Sequence, residues 1–91
     1  MIKLLRVDYR LIHGQITTSW VGQLGCDCIL IANDKVPGDI LRKNALKLAK
    51  PPETKLVMKT VEDSIEAINS GVTDKYKLFV IVETVQDARR M

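Results

Sequence analysis

Four short apolar runs alternate with segments of helical periodicity, and that alternation limits the folds open to this chain. The runs are "IKLLRV" (2–7), "CILIAN" (28–33), "KLVMKT" (55–60) and "KLFVIVET" (77–84). Between the first two, "IHGQITTSWVGQLG" (12–25) sets Ile12, Ile16, Trp20, Val21 and Leu24 at helical spacing and ends on Gly25, a natural helix stop. "DILRKNALKLAK" (39–50) opens on Asp39 as a cap and stops at Pro51-Pro52. It is expected to carry Ile40, Leu41, Ala45, Leu48 and Ala49 on one side, with lysines elsewhere. "TVEDSIEAINSG" (60–71) pairs Thr60 with Asp63 in the manner of a capping box, and Thr84 with Asp87 repeats the signature before "TVQDARRM". "NDKVPGD" (33–39) is a loop by composition.

The order βαβαβαβα predicts an α/β fold: an open, mainly parallel sheet with helices on both faces and right-handed crossovers. The runs at 28–33 and 77–84 are almost continuously apolar, as strands covered on both faces are. The 91 residues suit a single domain. The last helix has barely two turns by Met91, and so apolar a fourth strand wants a neighbour or a covering helix. The chain is therefore expected to be the N-terminal part of a longer domain. A sheet cut short exposes an edge and would tend to pair with a second copy as a homodimer.

Composition narrows the function classes. The chain is 46% hydrophobic and 27% charged, with a net charge of +3, so it reads as a core-forming globular domain. The charge is mild and its lysines are scattered, which gives nucleic-acid binding little support. No apolar run approaches the ~18 residues of a membrane span, and the N-terminus lacks a secretory pattern, so a cytoplasmic protein is expected. Cys26 and Cys28 form C-x-C, and on a strand they would share a face. A zinc site usually takes four ligands, so the pair reads as two reduced, buried thiols and no metal is expected. The first turn has no glycine-rich phosphate loop of the dinucleotide-binding kind. A receiver-like domain would need an acidic cluster after the first strand and an aspartate ending the third, where Lys59-Thr60 stand.

In open α/β sheets ligands bind beyond the carboxyl ends of the strands. The loops there are 8–13, 33–39, 60–61 and 83–84. The first holds Asp8, Arg10 and the chain's single histidine, His13, and runs into the first helix. A helix amino terminus offers unpaired N–H groups and the positive end of the dipole to a phosphate-sized anion. Arg10 adds a permanently charged planar fork. Asp8 could hold one imidazole nitrogen of His13 and leave the other free as a nucleophile. Gly14 permits close backbone approach. Asn33 and Asp34 would close the far side of the pocket. Taken by themselves these residues also fit a structural histidine near a helix start. Arg6 reads as a strand-edge residue and Trp20 as core.

"RVDYRLIHGQITTSW" (6–20) closely resembles the opening of the mannose/sorbose-family IIB component of the bacterial phosphoenolpyruvate-dependent sugar phosphotransferase system. That family opens with R-[IV]-D-x-R-L-I-H-G-Q-V followed shortly by a tryptophan; Ile16 stands here for the usual valine. The likeness continues through "ILIANDKV" (29–36) and "KLAKPPETKLVMKTVEDSIEAI" (47–68). The resemblance implies that His13 accepts a phosphoryl group from a IIA component. His13 would pass it to a sugar carried by a membrane-embedded IIC/IID permease, with which the protein would associate peripherally. It implies that Arg10 contacts the phosphoryl group, and Asp8 falls at the family's aspartate position. Gly14, Gln15 and Asn33 complete the expected phosphate-binding set, with no cofactor and no nucleic acid. The other reading is a non-catalytic module that binds an anion or a partner. Phosphorylation of His13 separates the two.

Overall fold

A computed structural model describes residues 2–9, 11, 14–51 and 54–91, with the backbone alone described for 14–18. The elements are β1 (Ile2–Val7), α1 (Gly14–Leu24), β2 (Cys28–Ala32), α2 (Ile40–Ala49), β3 (Lys55–Lys59), α3 (Val61–Asn69), β4 (Leu78–Val82) and α4 (Val85–Arg90). The four strands are parallel, in the order β1-β4-β2-β3. Loop 33–39 contains one 3-10 turn, Val36–Gly38, which composition alone did not distinguish from irregular chain.

The chain steps from β1 past β4's place to β2, on to β3, then back to β4. With one crossover hand throughout, that reversal puts α3 on the face opposite α1 and α2. The core divides accordingly. Ile29, Ile31, Phe79 and Ile81 pack with Leu11, Val21, Val36 and Leu46 on one face. Cys28, Leu30, Leu78 and Val80 pack towards Ile68 and Tyr76 on the other, where Ala32 and Val82 meet Val61, Ile65 and Ala88. Every residue of β2 and β4 is buried, as their unbroken apolar runs require. β1 is an edge strand with Ile2, Leu5 and Val7 exposed.

The helix ends follow local chemistry. Gly25 has φ +65, and the following Cys26 N–H donates to the Val21 carbonyl at 3.1 Å, closing α1. Thr60 Oγ1 accepts from the Asp63 N–H and Thr84 Oγ1 from the Asp87 N–H, each at 3.1 Å. Asp39 Oδ1 accepts from the Arg42 N–H at 3.1 Å.

One expectation needs correction. Trp20, Val21 and Leu24 do face the core from α1, while Ile12 lies outside the described residues and the Ile16 side chain is not described. In α2, Ile40, Leu41, Ala45, Leu48 and Ala49 share one side as their spacing implies, and that side faces solvent, while Leu46 is the residue that enters the core. The cause is orientation. Arg42 reaches inward to Glu83 and Leu46, one turn later on the same side, follows it into the core. Cys26 and Cys28, both buried and free, lie on opposite faces rather than one. β2 begins only at Cys28, and Cys26 still belongs to the end of α1, so the strand alternation does not relate them.

Candidate functional site

The topology brings the ends of β1, β4 and β2 side by side, each followed by a polar residue: Asp8, Glu83 and Asn33. A cleft of about 530 Å³ opens between the first two, lined by Arg6, Asp8, Tyr9, Glu83 and Thr84. A smaller one of about 190 Å³ lies between the second and third and includes Asn33, Asp34, Lys35 and Asp87. Glu83 and Thr84 line both, so Glu83 stands at the centre of the carboxyl end of the sheet.

The β1 end is pinned by backbone. The Asp8 N–H donates to the Val82 carbonyl at 2.8 Å, and the Asp8 carbonyl accepts from the Leu11 N–H at 2.9 Å. Leu11 has φ +61, a left-handed conformation that bulky side chains rarely adopt, and its side chain is wholly buried in the α1-side core. The Asp8 side chain is only 10% exposed, and its Oδ2 lies 3.7 Å from Arg6 Nε. That buried Nε makes no hydrogen bond among the described residues, so its tie to Asp8 is one of charge.

Asn33 organises the β2 end. Its Oδ1 accepts from the N–H groups of Lys35 and Val36 at 2.9 and 3.0 Å, folding the loop back on itself. Its Nδ2 donates to Glu83 Oε2 at 2.8 Å, and the same carboxylate oxygen lies 3.2 Å from Arg42 Nη2. Asp34 ties α3 to α4: Oδ1 accepts from the Val61 N–H at 3.0 Å and Oδ2 from Arg90 Nη1 at 2.8 Å. Arg90, and then the Val61 N–H, hold the Asp34 carboxyl below its ordinary pKa, and Asp34 raises that of Arg90 in turn.

The expected site residues thus stand as follows. Asp8 and Asn33 flank Glu83 across neighbouring strand ends. Gly14 and Gln15 are the first two residues of α1, where helix N–H groups have no intrahelical acceptor. His13 and Arg10 lie outside the described residues. Sequence reasoning missed Glu83 and Arg42. Glu83 was legible only as the polar residue ending an apolar strand, and its pairing with Asn33, 50 positions away, leaves no local mark. Arg42 reads from spacing as one more solvated base. Among the described residues no group of three or more His, Cys, Asp or Glu side chains is placed to hold a metal ion, and no helix is long and apolar enough to cross a membrane.

Comparison with known proteins places this chain in a family. The sequence profile of the PTS system sorbose subfamily IIB component matches residues 2–91. A probable phosphotransferase enzyme IIB component of Streptococcus pyogenes serotype M6 is 39% identical over 88 residues, covering 97% of this chain and 54% of that protein. The sorbose-specific EIIB component of Lacticaseibacillus casei is 40% identical over 81 residues, covering 89% of this chain and 49% of that one. Among solved structures, the IIBSor domain of the Klebsiella pneumoniae sorbose permease superposes with a TM-score of 0.87 at 31% identity, over 99% of this chain and 58% of its own. The chain spans about half the length of the curated relatives it matches. Its parallel sheet, its motif at 6–20 and a profile match along nearly its whole length agree: the chain belongs to the sorbose subfamily of PTS system IIB components.

Proposed function

We propose that this protein is a histidine phosphocarrier, a phosphohistidine–sugar phosphotransferase of a phosphoenolpyruvate-dependent sugar transport system. His13 takes a phosphoryl group from a IIA component and delivers it to a sugar carried by a IIC/IID permease. The observation that carries this reading is positional: the single histidine is the residue before Gly14, with which α1 begins, within the family motif and the matched profile. A mannose-specific EIIAB component of Escherichia coli, 29% identical over 91 residues, supports a IIA partner, since its name joins A and B parts.

The step needs little covalent work from the protein. One P–N bond, to the donor imidazole, breaks as another forms to His13, and the requirement is in-line positioning with charge stabilisation. The first N–H groups of α1 and the Arg10 guanidinium supply that stabilisation without a metal. Asp8 orients the imidazole. Asn33 acts through Glu83 and the 33–38 loop, because its amide and carbonyl are both engaged there. Transfer takes place on the cytoplasmic side, at the permease. A second copy is the remaining partner, pairing along the open edge of β1.

Onward transfer tests the reading. The protein is charged from a phosphorylated IIA component and mixed with membranes holding a IIC/IID permease and its sugar. Label should leave the protein and appear in sugar phosphate. Arg10→Ala should slow this while leaving the circular dichroism spectrum unchanged; loss of fold in that variant would make Arg10 structural. Label that stays on the protein with every partner present would reject the carrier role.

A further inference from the structure

A helix on a protein surface ordinarily turns its apolar side inward and its charges outward. α2 does the reverse. Ile40, Leu41 and Leu48 are 73%, 84% and 89% exposed, while Leu46 is buried. At 3.6 residues per turn, Ile40, Leu41, Ala45 and Leu48 share the solvent side, and Leu46 lies opposite. The rest of the helix is basic: Arg42, Lys43, Lys47 and the C-capping Lys50, with no acidic residue from Ile40 to Lys50. The nearest carboxylate in sequence, Asp39, is engaged in capping the first turn. Arg42 is drawn in towards Glu83, which leaves the three lysines along one flank of the apolar stripe.

An exposed aliphatic stripe edged by lysines is complementary to a surface that is apolar within and anionic at its rim, as a bilayer containing acidic lipid is. A second copy packed antiparallel, α2 against α2, would instead bring two lysine flanks together. We propose that α2 is an interfacial helix that docks the protein on an anionic lipid surface. Ile40, Leu41 and Leu48 enter the headgroup–acyl boundary, and Lys43, Lys47 and Lys50 reach the lipid phosphates.

The test is sedimentation of the intact protein with sucrose-loaded vesicles, either phosphatidylcholine alone or equal parts phosphatidylcholine and phosphatidylglycerol. Binding should appear only with the phosphatidylglycerol vesicles and weaken as salt is added. Leu41→Ser with Leu48→Ser should lower vesicle affinity at least about tenfold, and Lys43→Glu with Lys47→Glu should abolish binding, with circular dichroism confirming both folds. Leu48→Trp should give a blue-shifted emission component on the same vesicles. Absence of binding to phosphatidylglycerol vesicles, or binding indifferent to Leu41 and Leu48, overturns the proposal. So does a dimer, or a complex with purified permease protein, that Leu48→Ser dissolves in the absence of any lipid binding. No phosphoryl group takes part, so this proposal and the phosphocarrier reading fail or stand separately.

Discussion

Leu11 joins the loop that carries the motif to the core that holds it. Its left-handed backbone costs on the order of 1–3 kcal/mol, and burial of its side chain returns a similar amount. Leu11→Ala removes the burial and keeps the strain, so urea denaturation should show a loss of about 2–5 kcal/mol. Leu11→Gly removes more side chain but tolerates the positive φ, so it should be no less stable than the alanine variant. An alanine variant clearly more stable than the glycine one would contradict the left-handed turn. Asp34 gives a second prediction at this scale. Its lowered pKa means that the folded chain gains stability from it above the ordinary carboxylate value of about 3.9, and loses that gain as pH falls through the lower folded value. The pair is half exposed, so the gain is small. Carboxyl-carbon chemical shifts followed with pH should place the Asp34 midpoint below the ordinary value and move it upward in Arg90→Ala. An unmoved midpoint would deny the contact.

At the scale of elements, much was legible because local chemistry decides it. Thr60 and Thr84 were read as caps from the residues that follow them, and both side chains accept the expected N–H. Thr60→Ala should cost about 0.5–2 kcal/mol in thermal unfolding, through the nine-residue α3; no loss would make the cap incidental. The strands lie within a residue or two of the apolar runs, since an all-apolar run bounded by turn residues has few other places to go. The orientation of α2 was not legible. Periodicity says which residues share a side but not which side meets the sheet, and Arg42 and Leu46 settle that through tertiary contacts. The C-x-C pair misled for a related reason: strand alternation was extended two residues beyond where the strand starts. The Asn33–Glu83 bond, which shapes the site most directly among the described residues, joins two strand ends that become neighbours only once β4 inserts between β1 and β2.

At the scale of the whole molecule, the return of the chain from β3 to β4 matters most. It buries β4 between β1 and β2, aligns Asp8, Glu83 and Asn33 along one edge, and leaves β1 open on its far side. If a second copy pairs there, sedimentation velocity should show association that rises with concentration and falls in Leu5→Lys, a charge on an exposed edge residue. Association indifferent to that change would place the contact elsewhere. The central claim concerns His13, and one measurement addresses it directly. The folded protein is incubated with phosphoenolpyruvate, the general carrier proteins and a cognate IIA component, and acid-labile label is followed on the wild type and on His13→Ala. Label on the wild type and none on the variant is the predicted result. An unlabelled wild type beside a competent phosphorylated donor, or equal label on the variant, would contradict the account.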